Sequence, residues 1–222
     1  MNTSLTGKLR SLGAGLRALL VLTLVTGVLY PLAVTGVSQL LMPGRANGSE
    51  VRADGRVVGS SLIGQSYTRP LKKGQETAEP DLRWFQGRPA AGLGTNSENT
   101  RYSLLLSGPT NLAADNKVLV QRVADAKATI VRDNSVPGRP VSPADVPADA
   151  VTSSGSGLDP DISPAYARLQ TNRVAARNHL PVPEVARLVR AHTEGRTLGF
   201  LGEPRVNVLE LNTALKALVA RH

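Results

Sequence analysis

Between Arg17 and Arg45 the chain carries no charged side chain, and residues 18–42 form one apolar run around Leu19-Leu20-Val21-Leu22-Thr23-Leu24-Val25. As a helix these 25 residues reach about 37 Å, at ~1.5 Å per residue. That exceeds the ~30 Å hydrocarbon core of a bilayer. A buried helix of a water-soluble domain would be shorter and would carry a polar face. Lys8, Arg10 and Arg17 precede the run. The positive-inside rule therefore leaves a basic tail, residues 1–17, in the cytoplasm and sends residues 45–222 outside. A cleaved signal peptide is the competing reading. Its apolar core usually has only about 7–15 residues, and Gly36-Val37-Ser38, the small-x-small triplet near the end of the run, is a poor cleavage site. An uncleaved anchor is expected.

Within the run Thr23, Gly27, Pro31 and Thr35 recur at every fourth position and share a helix face. Small residues at that spacing allow another helix to approach closely, and Pro31 bends the helix and frees a backbone carbonyl. Gly and Pro are also common in membrane helices for no further reason.

Composition narrows the chemistry left to the outside domain. With no cysteine, disulfide frameworks, thiolate metal sites and cysteine nucleophiles are excluded. His179, His192 and His222 are the three histidines, too few for an imidazole metal cage, and seven aromatics cannot build a base-stacking surface. All 17 acidic residues and all but three of the 26 basic ones lie beyond residue 44, so six of the nine net positive charges sit there. They are dispersed without a sustained run. Headgroups or an acidic partner suit such a surface better than nucleic acid.

The pattern beyond the anchor is α+β: a single N-terminal transmembrane helix followed by one small mixed extracytoplasmic domain. Asp54-Gly55 between residues 50–53 and 56–58 is a type I′ hairpin signal, with the second strand expected to continue through Ser61-Leu62-Ile63. Residues 64–110 read as long loops with Trp84-Phe85 as a local core anchor. Leu119, Val123, Ala126 and Ile130 place a helix over 116–131. Six prolines and a Ser-Ser-Gly-Ser-Gly segment make 133–164 a long irregular loop. Ser163-Pro164 opens a helix to about Arg177. Pro183 opens another that Gly195 ends, and residues 197–201 are expected to form a short strand. Asn207 and Glu210 have capping-box spacing ahead of a final helix with Val208, Leu211, Leu215 and Leu218 on its apolar face.

No catalytic set stands out. Ser156 lacks the Gly two residues before it that a nucleophile elbow requires. No lysine lies between Lys127 and Lys216, so the same segment is no phosphate loop. His192-Thr193-Glu194 pairs an imidazole with a carboxylate, but His192 falls on the apolar face of its helix, where a hydrogen-bonded structural histidine is the commoner case. Asp159 and Asp161 lack the acidic cage of a calcium loop, and adjacent prolines point to turn and cap roles.

Several segments nevertheless form a distinctive set. Tyr30-Pro31-Leu32-Ala33-Val34-Thr35-Gly36 and Ala46-Asn47-Gly48-Ser49 bracket the membrane exit, and Gly59-Ser60-Ser61-Leu62-Ile63-Gly64-Gln65 follows the hairpin. Two longer ones are residues 151–164, with Ser153, Ser154, Gly155, Ser156, Gly157, Asp159 and Asp161, and residues 198–212, with Gly199, Phe200, Gly202, Glu203, Pro204, Arg205, Asn207 and Glu210. Over nearly its whole length the chain resembles the C subunit of the Kdp high-affinity potassium-transporting ATPase of bacteria and archaea. The resemblance implies a non-catalytic accessory subunit in the cell membrane of a prokaryote, needed for assembly and activity. The implied partners are a channel-like potassium-translocating subunit, a P-type ATPase subunit, a small membrane subunit and the lipid bilayer. ATP and potassium belong to the complex, with no cofactor built into this chain. It further implies a catalytic chaperone that raises the ATP affinity of the pump subunit. The helix face of Thr23, Gly27, Pro31 and Thr35 would then meet the channel-like subunit. Where the family has Ser-Gly-Gly-Ser-Asn-Leu, this chain has Ser107-Gly108-Pro109-Thr110-Asn111-Leu112, and Pro109 cannot adopt a positive φ. The alternatives from other classes are a membrane-anchored extracytoplasmic hydrolase using Ser156 or His192, and an anchored binding module.

Overall fold

The structure, a computed structural model, describes residues 5–70, 75, 78–89 and 107–222. The remaining parts of the expected 64–110 loops lie outside the described residues. Two compact units make up the chain, Met1–Glu50 and Val51–His222.

The first unit is the apolar helix. It runs as α1 (Leu5–Leu24), a single π turn (Val25–Leu29) and α2 (Tyr30–Leu41). The 35 residues Gly7–Leu41 are long and apolar enough to cross a membrane, at roughly 50 Å of helix. The helical backbone thus starts well before the apolar run, and Lys8, Arg10 and Arg17 ride on its first turns. The π turn answers a local problem. Pro31 has no N–H to donate, and the Tyr30 N–H beside it reaches back five residues to the Val25 carbonyl. The Thr26 hydroxyl donates to the Leu22 carbonyl at 2.7 Å, a further bond within the helix. A four-residue helix, α3 (Pro43–Ala46), follows, and Gln39 and Asn47 exchange amide hydrogen bonds at 3.0 and 3.2 Å.

In the second unit the hairpin forms as the sequence dictates. β1 (Glu50–Ala53) and β2 (Arg56–Ser60) flank Asp54 and Gly55, both at positive φ, 52° and 76°, as a type I′ turn requires. β2 does not continue into Ser61-Leu62-Ile63. The Ser60 hydroxyl accepts from the Leu62 N–H and the Ser60 carbonyl from the Ile63 N–H, which turns the chain away.

The helical half holds the core. α4 (Lys117–Asn134) is capped by Asn116, whose side chain accepts from the Val118 N–H, and runs three residues beyond the expected 131. The connection after it contains two short 3-10 turns and β3 (Asp161–Ile162). α5 (Pro164–Arg177) starts where Ser163-Pro164 placed it, the Ser163 hydroxyl accepting from the Tyr166 N–H at 3.0 Å. α6 (Val182–Ala191) ends four residues before Gly195, because β4 (Thr193–Glu194) begins there. The strand expected at 197–201 is a closed turn instead, with one bridge between Thr197 and Leu201. The strand that does form is β5 (Arg205–Asn207), central in an antiparallel sheet of order β3-β5-β4. α7 (Val208–Val219) follows directly, with Val208, Leu211 and Leu215 buried and Leu218 half-buried against the core.

Phe85 is fully buried at the centre of that core, with Tyr166, Val174, Val185, Val206, Leu211 and Leu215. It is not the local anchor expected of a loop residue. The loop stays because two amide side chains treat its backbone as a strand edge. Asn212 accepts from the Phe85 N–H and donates to its carbonyl, both at 2.9 Å. Gln170 does the same for Gln86, at 2.7 and 3.0 Å. Every buried backbone group on that stretch thereby finds a partner, which an irregular segment in a core needs.

Candidate functional site: the junction of the two long motifs

The two long motifs of the sequence meet across the β3–β5 ladder. Asp161 pairs with Asn207 and Ile162 with Val206, and the Val208 N–H donates to the Pro160 carbonyl at 3.0 Å. Asn207 serves both sides. Its Oδ1 accepts from the Glu210 N–H at 3.2 Å and caps α7. Its Nδ2 donates to the Ser61 carbonyl at 2.8 Å and to Asp161 Oδ1 at 3.2 Å. The third quoted segment, 59–65, is therefore tied in by the same side chain.

Charges run across the ladder in alternation. Arg205 reaches Asp161 Oδ2 at 3.2 Å and Glu194 Oε2 at 2.7 Å. Half-burial pushes the Asp161 carboxyl above the usual range; Arg205 works against that shift, while Asp159 and Glu194 add to it. Desolvation thus outweighs the ion pair.

Residues 151–164 have a defined shape. Gly157, at φ 68°, closes a turn by donating to the Ser154 carbonyl at 3.2 Å. The Ser154 and Ser156 hydroxyls lie 3.2 Å apart, and Ser156 Oγ accepts from the Leu158 N–H. Gly155 is exposed at the turn. Arg88, which sequence reasoning did not single out, gathers the segment: it pairs with Asp159 Oδ2 at 2.9 Å and reaches the Thr152 and Ser153 carbonyls at 3.4 Å. Asp159 Oδ1 accepts from the Asp161 N–H, the turn role expected of it. Gly64 donates to the Leu158 carbonyl at 2.8 Å, and a Cβ there would lie 2.7 Å from the Asp159 carbonyl oxygen, so only glycine fits. A polar cavity of about 180 Å³ opens beside Gly64, Gln65, Arg88, Ser154 and Asp159.

Pro109 is followed two residues later by Asn111 at φ 51°, so a left-handed residue exists in this loop but not at 109. Gly108 donates to the Ser156 carbonyl at 2.9 Å and links the loop to the second motif.

His192 caps the C-terminus of α6, with Nδ1 2.9 Å from the Leu188 carbonyl oxygen. It lines an apolar groove between α6 and α7, whereas Ser154 lines the cavity beside Arg88. Among the described residues no cluster of three metal-ligating side chains occurs. The Thr23, Gly27, Pro31 and Thr35 positions flank and include the π turn and lie exposed on the helix. Glu203 pairs with Arg196 at 3.0 Å, and Gly199, Phe200, Gly202 and Pro204 form the exposed turn before β5.

Further residues that sequence reasoning missed gather around Arg173. Arg173 is 1% exposed, yet each acceptor it meets is neutral: Asn134 Oδ1 at 2.8 Å, Gln170 Oε1 at 2.6 Å, the Trp84 carbonyl at 3.0 Å, and the Leu82 carbonyl. Burial holds its pKa down, at about 10. Arg173 thus ties α5, the end of α4 and the loop before Phe85 into one body. The available signal was polar residues at helix-face spacing, Gln170, Arg173 and Asn212, where apolar ones are expected.

A family model described as KdpC, the c chain of K+-transporting ATPase, matches residues 12–217. The potassium-transporting ATPase KdpC subunit of Streptomyces coelicolor is 73% identical, with 99% of this chain and 98% of that one covered. That of Streptomyces avermitilis is 70% identical, with 99% of each covered. The counterpart in Gemmatimonas aurantiaca is 47% identical over 92% of this chain and 94% of its own. The apolar run 18–42, the hairpin and the motif junction all fall within the matched span, and the chain belongs to the KdpC family of potassium-transporting ATPase subunits.

Proposed function

We propose that this chain is a non-catalytic, single-pass subunit that assembles an ATP-driven potassium uptake complex and raises the ATP affinity of its P-type ATPase subunit. The proposed partners are the channel-like subunit, the ATPase subunit and the small membrane subunit. The helix stands with its N-terminus in the cytoplasm, and residues 45–222 lie on the extracytoplasmic face of the prokaryotic cell membrane. Thr23, Gly27, Pro31 and Thr35 meet a helix of the channel-like subunit, packing small residue against backbone. ATP is cytoplasmic, so the effect on its affinity is transmitted through partner subunits and not by nucleotide contact with residues 45–222.

The observation that carries this reading is how the motif side chains are used. Arg88, Asp159, Asp161, Arg205 and Asn207 are engaged with one another or with backbone, and the Ser156 hydroxyl and His192 ring each hold a local backbone group. They build a rigid body, which suits a subunit that acts by binding better than one that acts by chemistry.

Purified complex with and without this chain tests the proposal. Omission is expected to abolish potassium-stimulated ATP hydrolysis at low ATP, with partial recovery at high ATP. Full activity at low ATP without the chain would overturn it.

A further inference from the structure

The chain leaves its apolar helix on a short, wound tether. Residues 42–49 separate Leu41 from β1, and four of them form α3. The Asn47 N–H donates to the Pro43 carbonyl at 3.1 Å and the Ser49 N–H to the Gly44 carbonyl at 2.9 Å. Ser49 thus lies one turn from Gly44, a residue just past the end of the helix, and the Gln39–Asn47 amide pair braces the same elbow. At ~3.3–3.6 Å per extended residue, β1 starts within about 20 Å of the helix end. The two-residue turn at Asp54-Gly55 then sends β2 back along β1, which returns residues 60–63 to the start of the hairpin.

What returns there is apolar. Leu62 is 63% exposed and Val57 48%, and Ile63 is exposed as well. The Leu62 N–H bond to the Ser60 hydroxyl, at 3.1 Å, and the Ile63 N–H bond to the Ser60 carbonyl, at 3.2 Å, fix the turn that presents them. Cations accompany the turn. Arg45 in α3 and Arg56 in β2 are exposed and have no ion pair among the described residues. Asp54, the acidic residue at the hairpin tip, is already answered by Lys216 at 2.7 Å.

The tether decides what covers this turn. A bilayer always lies beside the exit of a membrane span, and its boundary layer takes apolar side chains flanked by unpaired cations. We propose that the Leu62-Ile63 turn, with Val57, is a second membrane contact. Its side chains enter the headgroup–acyl boundary of the leaflet from which the helix emerges, and Arg45 and Arg56 lie against lipid phosphates. This rests on residues 18–42 crossing the membrane, and it holds for either orientation of the span.

Because the chain has no cysteine, single cysteines in the full-length protein carry a dye to chosen depths. The vesicles are phosphatidylethanolamine and phosphatidylglycerol, with spin-labelled lipids that quench either near the headgroup or deep in the acyl layer. Leu62→Cys is expected to be quenched by the shallow label, and Val118→Cys, 52% exposed on α4, to remain unquenched. Arg45→Gln and Arg56→Gln should each lower the ratio of quenched to unquenched dye about fivefold. A dye at position 62 replaces the side chain in question, so Val57→Cys reports the contact with Leu62 and Ile63 intact. Its quenching should vanish when both become serine, with the melting temperature unchanged.

A Leu62→Cys dye as free of quenching as Val118→Cys would overturn the contact. Quenching lost on dilution of the chain into lipid overturns it in favour of a second copy. Quenching lost in the reconstituted complex overturns it in favour of a covering subunit. A Leu24→Cys dye beyond reach of the deep label would overturn the anchor and the contact together. If Leu24→Cys is quenched and Leu62→Cys is not, the second contact fails while the anchor stands.

Discussion

Arg173 is the residue on which the second unit most depends. A guanidinium buried to 1% exposure among neutral acceptors costs desolvation that Asp133 and Asp81, neither of them hydrogen-bonded to it, offset only in part. Its return is geometric, since one planar fork fastens the Leu82 and Trp84 carbonyls, Asn134 and Gln170 at once. Removing it takes the donor from Asn134 Oδ1 and the Leu82 carbonyl, while Gln86 still serves Gln170 and the Trp84 carbonyl, and opens a void. Arg173→Ala is therefore expected to lower stability by about 3–5 kcal/mol, measured by urea denaturation of the full chain in mild detergent with Trp84, the sole tryptophan, as reporter. Hydrophobic periodicity could not reveal this. The buried face of α5 carries Gln170, Thr171 and Arg173 alongside Tyr166, Ala167 and Val174, so the helix reads as weakly amphipathic although one side is fully packed. The partner loop, lying far away in sequence, has no period at all.

At the scale of elements, caps and turns were legible and short strands were not. Asp54-Gly55, Ser163-Pro164 and Asn207 each name a local geometry through their own side chain or ring. β3, β4 and β5 have two or three residues each, too few for alternation to register, and exist because distant segments pair. Asn207 joins the two classes, as a cap that also bridges strands. Asn207→Asp retains the cap but sets a second carboxylate against Asp161, whose carboxyl already sits above its ordinary range. Like charge raises both further. A carboxyl with a raised folded-state pKa binds more protons folded than unfolded, so the stability it lends is present at low pH and is lost as pH climbs through that pKa. The variant should match the parent near pH 4 and fall about 1–2 kcal/mol below it by pH 7. Asn207→Ala should lose about 1–2 kcal/mol at both. Thermal melts across this pH range distinguish the two.

For the whole molecule, the decisive quantity is where charge lies along the chain. Three basic residues and no acidic one precede residue 45. The positive-inside bias therefore has no counterweight on the short side of the helix. A reporter active only outside the cytoplasm, fused after His222, is expected to function. Activity of a strictly cytoplasmic reporter at that position would overturn the orientation. The long apolar helix could be read from composition alone because a bilayer imposes one length and one polarity on whatever crosses it. Its π turn could not, since the backbone detour depends on how one proline is accommodated. A π turn is an α turn holding one residue in excess, so Leu5–Leu24 and Tyr30–Leu41 are two cylinders whose angular phase is set by a single inserted position. Each α-helical residue subtends about 100°. If the bulge were straightened with that residue retained, the end bearing Lys8, Arg10 and Arg17 would turn by about a quarter of a revolution relative to the end leading out of the helix, whereas deleting the residue would leave the two ends in phase. The rotational setting of one end of this helix against the other thus hangs on a single backbone turn.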